Sequence, residues 1–298
     1  MADNASSRTM SSTDAEEGAR DLTGKTFLVT GANTGIGRET VRALAARGAS
    51  VYLAGRSEEK TRAAMEEIAA QTGSQALEFL ALDLGDLESV RASADAFLAT
   101  AQPLHGLINN AGLAGQRGTT SSGFELHFGT NHVGPFLLTG LLTERLRESA
   151  PARIVNLSSE GHYRAHGIDF EAVRAPTKTR TGFHEYCVSK LANVLHAQEL
   201  ARRLDGSGVT TYALHPGAVA SDIWRRVPWP VRPLMKRRML TVEEGALTSL
   251  YCATSPEVAN ESGQYYDNLK RREASDAATP ELAGELWNRS VEWVGLGA

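Results

Sequence analysis

One stretch decides the fold of this chain, Thr30-Gly31-Ala32-Asn33-Thr34-Gly35-Ile36-Gly37. It follows Lys25–Thr30, an apolar run typical of a buried strand, and it precedes Arg38–Arg47, which has helical periodicity. A glycine-rich turn between a first strand and a first helix is where a doubly wound sheet binds a dinucleotide, because glycines let the backbone approach the pyrophosphate. The spacing differs from G-x-G-x-x-G, and the turn could also be just a tight connection, but its position favours the dinucleotide site.

The alternation of strand and helix continues along the chain. Strands are predicted at Lys25–Thr30, Ser50–Ala54, Leu77–Leu82, Gly106–Asn109, Arg153–Leu157, Val209–Leu214 and Gly263–Tyr266. Helices are predicted at Arg38–Arg47, Ser57–Gln71, Asp86–Thr100, Asn131–Glu148, His184–Leu204 and Val242–Thr254. Because this order requires right-handed crossovers, it predicts an α/β fold, a doubly wound, parallel, seven-stranded sheet with helices on both faces. Residues 21–298 are predicted to form one domain, and residues 1–20, rich in Ser, Ala, Asp and Glu, a disordered leader.

Composition narrows the class of protein. The chain has 298 residues, of which 42% are hydrophobic and 22% charged, as in ordinary soluble proteins. The net charge of -4 argues against electrostatic capture of nucleic acid, and no apolar stretch is long enough to be an integral membrane segment. The two cysteines, Cys187 and Cys252, lack metal-type spacing, so we expect free thiols and a cytoplasmic location.

The end of the second strand indicates which nucleotide is bound. An NAD site normally places Asp or Glu there, but this strand ends Ala54-Gly55-Arg56. Arg38 follows the glycine turn, and two guanidinium groups could clamp a 2′-phosphate, which favours NADP(H) over the alternative that both arginines are solvated surface charges. Two segments end strands at the same predicted edge, Asp83-Leu84 and Asn109-Asn110-Ala111-Gly112. Asp83 could accept a hydrogen bond from the adenine amine, and the small residues of the second segment could let a ligand lie against the backbone. Alternatively, either segment could be just a polar strand exit.

Tyr186 and Lys190, four residues apart on the predicted long helix, are the candidates for proton chemistry. They share one helical face, and a nearby ammonium is expected to lower the pKa of a phenol. Tyr186 could then give a proton to a carbonyl oxygen as hydride arrives, or remove it in reverse, although such a pair alone is usually a surface feature. Ser158 and Ser159 end the fifth strand at the same edge, where a hydroxyl could hold the substrate oxygen. Asn131 begins a helix and could anchor a water leading to Lys190, the alternative being a simple helix cap.

In combination these motifs resemble the short-chain dehydrogenases/reductases, a family of Rossmann-fold oxidoreductases, from Leu22 to the C-terminus. The resemblance implies a catalytic tetrad of Asn131, Ser159, Tyr186 and Lys190, with Ser159 favoured over Ser158. It also implies that Pro216-Gly217 lies near the nicotinamide and that the hydroxyl of Ser221 touches its carboxamide. The full set of predicted cofactor-binding residues is Gly31, Asn33, Thr34, Gly35, Ile36, Gly37, Arg38, Arg56, Asp83, Leu84, Asn110, Ala111, Gly112, Tyr186, Lys190, Pro216, Gly217, Val219 and Ser221.

A narrower resemblance is to the retinol dehydrogenase and WW-domain oxidoreductase branch. It rests on Thr30–Thr40, Val51–Arg56, Tyr186–Asn193 and the ending Leu286-Trp287. The branch implies NADP(H) as cofactor and lipophilic aldehydes, ketones or alcohols as substrates.

Two segments are expected beside the site. The insertion Gly161–Gly182 brings His162, Tyr163, His166 and His184 near it; a metal cluster is one interpretation, but no spacing fits a closed site, so we predict a polar loop and no metal. Residues 222–240 contain Trp224 and Trp229 among prolines and basic residues. We predict a lid over a lipophilic or polycyclic substrate, with lipid contact or a gap-filling surface loop as alternatives.

The sequence therefore predicts an enzyme that transfers hydride between NADP(H) and a ketone or aldehyde/alcohol pair, mainly as a ketoreductase. A non-catalytic NADP-binding regulatory protein is disfavoured because Tyr186 and Lys190 are both present. An epimerase or dehydratase on a related fold is disfavoured because T-G-x-x-G-x-x-G is absent. The resemblance further implies a homodimer or homotetramer joined through the helices at Asn131 and His184.

Overall fold

The structure is a computed structural model that describes residues 21–219 and 239–297. The predicted leader at residues 1–20, the predicted contact residue Ser221 and nearly all of the predicted lid at residues 222–240 lie outside the described residues. The elements below belong to the two described ranges.

Eight strands form one sheet in the order β3-β2-β1-β4-β5-β6-β7-β8. Their bounds are β1 Thr26–Thr30, β2 Ser50–Gly55, β3 Leu77–Ala81, β4 Gly106–Asn109, β5 Ala152–Leu157, β6 Val209–His215, β7 Gln264–Asp267 and β8 Lys270–Arg272. The strands from β1 to β7 pair in parallel. The order reverses between β1 and β4, the point at which doubly wound sheets bind ligands. The predicted α/β doubly wound fold is confirmed.

The sheet has one strand more than predicted, because β8 returns antiparallel to β7. Asp267 pairs with Lys270 across the two-residue turn Asn268-Leu269, in which φ is 49° and 61°. Positive φ at both central positions matches the twist of paired strands, but such turns usually carry Gly at the second position. Leu269 stands there instead, so the sequence offered no hairpin signal.

Seven helices pack against this sheet in the described ranges. Their bounds are α1 Gly35–Ala45, α2 Glu58–Thr72, α3 Leu87–Ala99, α4 Gly134–Glu148, α5 Phe183–Arg203, α6 Val242–Thr254 and α7 Pro280–Val294. Before α4 the chain makes a short α-helical turn at Leu126–Phe128 and a π-helix at Gly129–Val133. The helix predicted to begin at Asn131 therefore begins earlier, and Asn131 lies inside the π-helical stretch. Such stretches are rare and often occur at functional sites.

Alternating side chains of the strands contribute to a large hydrophobic core on each face of the sheet, and a small third cluster joins Val194, Ala197, Ala213 and Tyr265. On β1, Leu28 joins the core formed with α3, α4, α5 and α7. Its neighbours Phe27 and Val29 join the opposite core, formed with α1, α2 and α6. Since consecutive side chains of a strand point to opposite faces, this division confirms helices on both sides of the sheet.

Helix α7 covers parts of α4 and α5. The ring of Trp287 lies 5.0 Å from that of Phe136 on α4 and 6.0 Å from that of His196 on α5. The Arg203 guanidinium lies 4.4 Å above the same indole. These are the helices that the family resemblance predicts to meet a second subunit, so α7 occupies some of the surface that such a contact would use.

Candidate active site

The glycine turn forms a tightly closed cradle between β1 and α1. Gly31 has a φ of +65° and its N–H donates to the Ala54 carbonyl at 2.8 Å. A Cβ on Gly37 would lie 2.4 Å from the Gly31 oxygen and 2.5 Å from Asn110 Nδ2, so only glycine fits there. The first turn of α1 begins at Gly35, and the helix N-terminus faces the same cradle. This geometry fits the pyrophosphate of a dinucleotide.

Two residues predicted to bind the cofactor at the end of β4 reach this cradle. Asn110 Nδ2 donates to the Thr30 carbonyl at 2.7 Å and to the Gly31 carbonyl at 3.2 Å. The Ala111 N–H donates to Thr30 Oγ1 at 3.0 Å. The segment after β4 is therefore part of the hydrogen-bond network of the glycine turn. This explains why small residues and amide residues occupy both the glycine turn and the segment after β4.

The strand exit after β6 also closes on the glycine turn, through α6. A Cβ on Gly245 of α6 would lie 2.4 Å from Val219 Cγ2 and 3.3 Å from Ile36 Cγ1. Gly217 has a φ of +85° and lies against Leu240, whose N–H donates to the Ala218 carbonyl at 2.9 Å. Val219, which ends this segment, is thus brought close to Ile36 of the glycine turn.

Arg38 and Arg56, the candidates for binding a 2′-phosphate, occupy different environments. Arg56 follows β2 and is exposed. Arg38 Nη1 pairs with Glu67 Oε2 of α2 at 2.6 Å, and both side chains are about half exposed, at 45% and 56%. Exposed ion pairs contribute roughly 0–1 kcal/mol, so the pair can open for a phosphate. The residues are separated by 29 positions, and the sequence did not predict their pairing.

The predicted adenine contact at the end of β3 is held by its own loop. Asp83 Oδ1 accepts from the Gly85 N–H at 2.9 Å, and the Asp83 N–H donates to Ser89 Oγ at 2.9 Å. The Leu84 backbone lies against Gly134 at the start of α4, where a Cβ would be 2.3 Å from the Leu84 oxygen. Both residues lie at the carboxyl edge of the sheet, as predicted.

Lys190 is a buried cation beneath the ring of Tyr186. Its Nζ lies 5.7 Å from the centroid of that ring and donates to the Leu157 carbonyl at 2.8 Å. Burial lowers the pKa of Lys190 to about 8. A Cβ on Gly112 would lie 3.4 Å from the same Nζ, so the end of β4 passes directly over the ammonium. The lysine therefore lies where the predicted catalytic residues and the cofactor strands meet.

The pKa of Tyr186 shifts opposite to the predicted direction. Burial raises this pKa, the hydrogen bond with the Ser159 side chain opposes the shift without reversing it, and Cys187 adds to the rise. Lys190 donates a hydrogen bond from its ammonium to the Leu157 carbonyl, which lies on β5. In the cofactor-free arrangement, Tyr186 is therefore a protonated acid at neutral pH.

The structure separates the two candidate serines. Ser158 is buried, and its hydroxyl donates to the Lys190 carbonyl at 2.7 Å. Ser159 is half-buried, caps the 3₁₀ turn Glu160–Arg164, and accepts from the Gly161 N–H at 3.1 Å. Of the two serines, Ser159 is the one whose side chain lowers the pKa of Tyr186, against the effect of burial. This places Ser159, the serine favoured by the resemblance, where it can meet a substrate oxygen.

Asn131 uses its whole side chain inside the protein. Its Oδ1 accepts from the Leu113 N–H at 2.9 Å, and its Nδ2 donates to the Leu113 carbonyl at 3.1 Å and to Ser189 Oγ at 3.0 Å. Ser189 in turn donates to the Tyr186 carbonyl at 2.7 Å. Pro135, four residues after Asn131, has no N–H to close an α-helical bond to the Asn131 carbonyl. Of the two groups of Asn131 that could anchor a water, the side chain and the carbonyl, the side chain is already engaged by Leu113 and Ser189.

Sequence reasoning missed the buried residues that support this site. Ser189 was hidden between the two catalytic candidates of α5, although its position in Tyr186–Lys190 was a usable signal. Glu125 accepts from the Phe128 N–H at 2.9 Å and pairs with His127 Nδ1 at 2.9 Å, and Thr177 also donates to it. These contacts fix the start of the helix that carries Asn131. The bonds to His127 and Phe128 are local, but the bond from Thr177 spans 52 positions and could not be recognised from spacing.

The histidines of the insertion do not gather at one point. His162 is buried next to Ser159, whereas His166 and His184 line a separate cavity of about 380 Å³. This cavity borders the face of α5 that carries His184 and Val188, not the face that carries Tyr186. Within residues 21–219 and 239–297, no group of three or more His, Cys, Asp or Glu side chains is arranged to hold a metal ion.

Two features define the class of protein. One is the glycine cradle at the point where the strand order reverses, and the other is the group at the same edge formed by Ser159, Tyr186 and Lys190. Together they define a dinucleotide-dependent α/β enzyme. The family model described as short chain dehydrogenase matches residues 25–229. Human retinol dehydrogenase 12 is 47% identical over 283 residues, covering 92% of this chain and 88% of that protein. Bovine dehydrogenase/reductase SDR family member 13 is 44% identical over 287 residues, covering 94% and 76%.

A solved structure of an uncharacterized protein from Mycobacterium paratuberculosis has a TM-score of 0.75 and 32% identity, and the alignment covers 93% of this chain and 95% of that one. The chain belongs to the short-chain dehydrogenase family, as the resemblance predicted, and to its retinol dehydrogenase branch. It is an oxidoreductase that acts on alcohol and carbonyl groups, and its family uses nicotinamide cofactors. In the described part of the chain, no helix is both long and apolar enough to cross a bilayer.

Proposed function

We propose that this enzyme uses NADPH to reduce the carbonyl group of a lipophilic ketone or aldehyde. The observation that carries the proposal is the meeting of Ser159, Tyr186 and Lys190 at the sheet edge where the glycine cradle lies. A protonated, buried phenol next to a serine hydroxyl suits donation of a proton to a carbonyl oxygen. The reductive direction is part of the proposal, and the usual use of NADPH as a reductant supports it.

The chain's own residues divide the work at the carbonyl. The cofactor, when bound, supplies the hydride. Ser159 donates a hydrogen bond to the carbonyl oxygen and holds it beside the phenol, and Tyr186 transfers its proton to that oxygen. Lys190 binds the nicotinamide ribose and, as an ammonium, stabilises the tyrosinate that remains. The Asn131 carbonyl supports a water through which Lys190 restores the proton of Tyr186.

Preference for NADP(H) is proposed on the charges around the end of β2. No acidic residue ends this strand, and Arg56 stands exposed directly after it. Arg38 lies at the first turn of α1, where its exposed ion pair with Glu67 can break so that the guanidinium binds a phosphate. Two arginines without an acid favour a 2′-phosphate over a free ribose hydroxyl.

The substrate class is proposed from the relatives. The retinol dehydrogenases 12 and 11 that resemble this chain at 46–47% identity carry names that specify a lipophilic alcohol. We extend this to lipophilic ketones and aldehydes, with retinoids as one class to be tested among steroid, polyketide-like and small aldehyde substrates. The segment at residues 222–240 is proposed as the lid over this substrate.

The test measures NADPH oxidation by the full chain across these four classes, with NADH in parallel. We expect turnover with at least one lipophilic carbonyl compound and preference for NADPH. Tyr186→Phe is expected to lose about a hundredfold or more in kcat while NADPH still binds, since general acid catalysis contributes on that order. Tyr251→Phe is the matched control, because the Tyr251 hydroxyl donates to Glu257, just beyond the end of α6. Retained turnover in Tyr186→Phe would contradict the mechanism, and NADPH binding without turnover on any substrate would favour a non-catalytic sensor.

Two further proposals concern assembly and location. A homodimer or homotetramer is proposed on the family resemblance, through those parts of α4 and α5 that α7 leaves uncovered; sedimentation of the purified chain measures its mass. A cytoplasmic location is supported by two cysteines, Cys187 and Cys252, that are both free and buried. Fractionation of the expressing cell tests it.

A further inference from the structure

His162 occupies a fully buried position directly beneath the proposed active site. It lies in the 3₁₀ turn Glu160–Arg164, three residues after Ser159, and its side chain is inaccessible to solvent. The imidazole stacks on Tyr163, with ring centroids 3.9 Å apart, and packs on Tyr265 at 4.6 Å. The ring therefore has one fixed orientation, set by packing on both sides.

Its hydrogen bonds determine which ring nitrogen carries the proton. The Ser159 carbonyl accepts two hydrogen bonds from His162, one from its backbone N–H at 3.0 Å and one from Nδ1 at 2.7 Å. A carbonyl oxygen can only accept, so Nδ1 carries the hydrogen. The other nitrogen, Nε2, accepts from the Ser275 backbone N–H at 3.2 Å and must be unprotonated. The imidazole is thus neutral with both nitrogens in use, and burial accordingly lowers the pKa of His162. Neither nitrogen is left to bind a metal.

The residue held by this imidazole is the serine of the proposed site. The Ser159 carbonyl is fixed by His162, while its hydroxyl accepts from the Gly161 N–H at 3.1 Å. Gly161 lies between the Ser159 hydroxyl and the Tyr186 ring and is close to both. A Cβ on Gly161 would lie 3.3 Å from Tyr186 Cε1 and 3.5 Å from Ser159 Oγ. A rotation of the peptide after Ser159 would change the distance between the serine hydroxyl and the phenol.

The same turn holds the segment between β8 and α7. Besides the bond from Ser275 to His162, the Tyr163 hydroxyl donates to the Glu273 carbonyl at 2.7 Å. The consecutive side chains of His162 and Tyr163 thus both hydrogen-bond to the segment between β8 and α7. The imidazole links this segment to the Ser159 backbone through its two nitrogens.

We propose that His162 is a positioning residue that holds the Ser159 backbone so that the serine hydroxyl faces Tyr186. The role rests on the proposed function, in which these two hydroxyls act on the substrate oxygen. The bond from Nδ1 to Ser159 carries the effect on catalysis, whereas the bond from Ser275 to Nε2 contributes to stability alone.

Three substitutions separate these two bonds. His162→Asn places an amide N–H near the position of Nδ1 and lacks a group at Nε2. His162→Gln reaches the position of Nε2 and lacks a donor at Nδ1, and His162→Leu lacks both. The matched control is His166→Asn, because this histidine of the same insertion lines the cavity on the other face of α5.

We expect His162→Asn to keep most of the kcat, and His162→Gln and His162→Leu to lose about tenfold, with the Kd for NADPH unchanged in all three. His162→Asn should nevertheless have a lower Tm than wild type, because it releases Ser275. A purely structural role would make kcat follow Tm across the series. If His162→Leu does not fold, the comparison of Asn with Gln decides the matter.

A second measurement needs no substrate. With tyrosine rings labelled with ¹³C, the Tyr186 signal of the NADP⁺ complex is assigned by its loss in Tyr186→Phe. We expect this signal to shift in His162→Gln and His162→Leu and to stay in place in His162→Asn and in His166→Asn. Equal shifts in all three His162 variants, no shift in any of them, or a shift in Asn alone would overturn the proposal. If no carbonyl compound is turned over, the proposed function fails, and this signal still decides the role of His162.

Discussion

Replacing Lys190 with methionine should stabilise the cofactor-free protein while it abolishes turnover. Burial lowers the pKa of Lys190 from 10.5 to about 8, and each pH unit corresponds to about 1.4 kcal/mol, so carrying the ammonium costs about 3 kcal/mol at neutral pH. The substitution loses the bond to the Leu157 carbonyl, worth about 1 kcal/mol. That carbonyl keeps its bond from Asn193 Nδ2 at 2.9 Å, so no orphaned acceptor remains. The net expectation is a gain of about 2 kcal/mol.

The effect has a defined pH dependence. Lys190 has a lower pKa in the folded protein than in the unfolded chain, so the unfolded chain binds more protons between about pH 8 and pH 10.5. The wild-type stability should therefore rise relative to that of Lys190→Met across this interval. Below about pH 8 both states of the wild type are protonated, and the full penalty is present.

Calorimetric and urea-induced unfolding of both proteins at pH 7, 8, 9 and 10 measures this difference. At pH 7 the variant should unfold about 4 °C above the wild type, since 1 kcal/mol corresponds to about 2 °C in a domain of this size. The gap should narrow as the pH rises. Lys190→Met being less stable than wild type at pH 7, or a gap that does not change between pH 8 and pH 10, would refute the reasoning that burial of the ammonium is destabilising.

Three other outcomes are expected. Arg56→Asp should weaken NADPH binding by about 10- to 100-fold and improve NADH binding, measured by fluorescence titration against the surface control Arg62→Ala; an unchanged preference would exclude Arg56 from the phosphate site. The Kd for NADPH should rise by up to about tenfold per pH unit above about pH 8, where Lys190 deprotonates, and a flat profile in the wild type would contradict its contact with the ribose. Trp287→Ala should cost about 3 kcal/mol in urea unfolding by loosening α7 from α4 and α5, and a loss below about 1 kcal/mol would mean that α7 is only loosely attached.

Local sequence patterns were sufficient for the fold and for the position of the glycine turn between β1 and α1. The parallel strands and their order of crossover follow from alternating apolar runs, and the glycine turn lies where its sequence neighbours predicted. Asn110 and Ala111 reach that turn because neighbouring parallel strands end at the same edge. These features depend on chain connectivity and on backbone geometry, and both can be predicted from the order of strand and helix patterns along the sequence.

The remaining features depend on contacts between distant segments. The pairing of Arg38 with Glu67 joins two helices, and the hydrogen bond between His162 and Ser275 joins the turn after β5 to the segment between β8 and α7. The pKa of Tyr186 differs from its predicted direction because burial, which only the folded structure shows, outweighs the hydrogen bond with the Ser159 side chain. The hairpin before β8 was missed because Leu269 adopts a conformation that is usually given to glycine.

The packing of α7 has a consequence for how the chain is made. Val294, in the last turn of that helix, shares a hydrophobic core with Leu28 of the first strand. During translation, the face of the sheet that includes Leu28 cannot be fully covered until Val294 has left the ribosome. Until then the parts of α4 and α5 that α7 covers stay open to solvent, so a nascent chain that lacks α7 should be a target for chaperones.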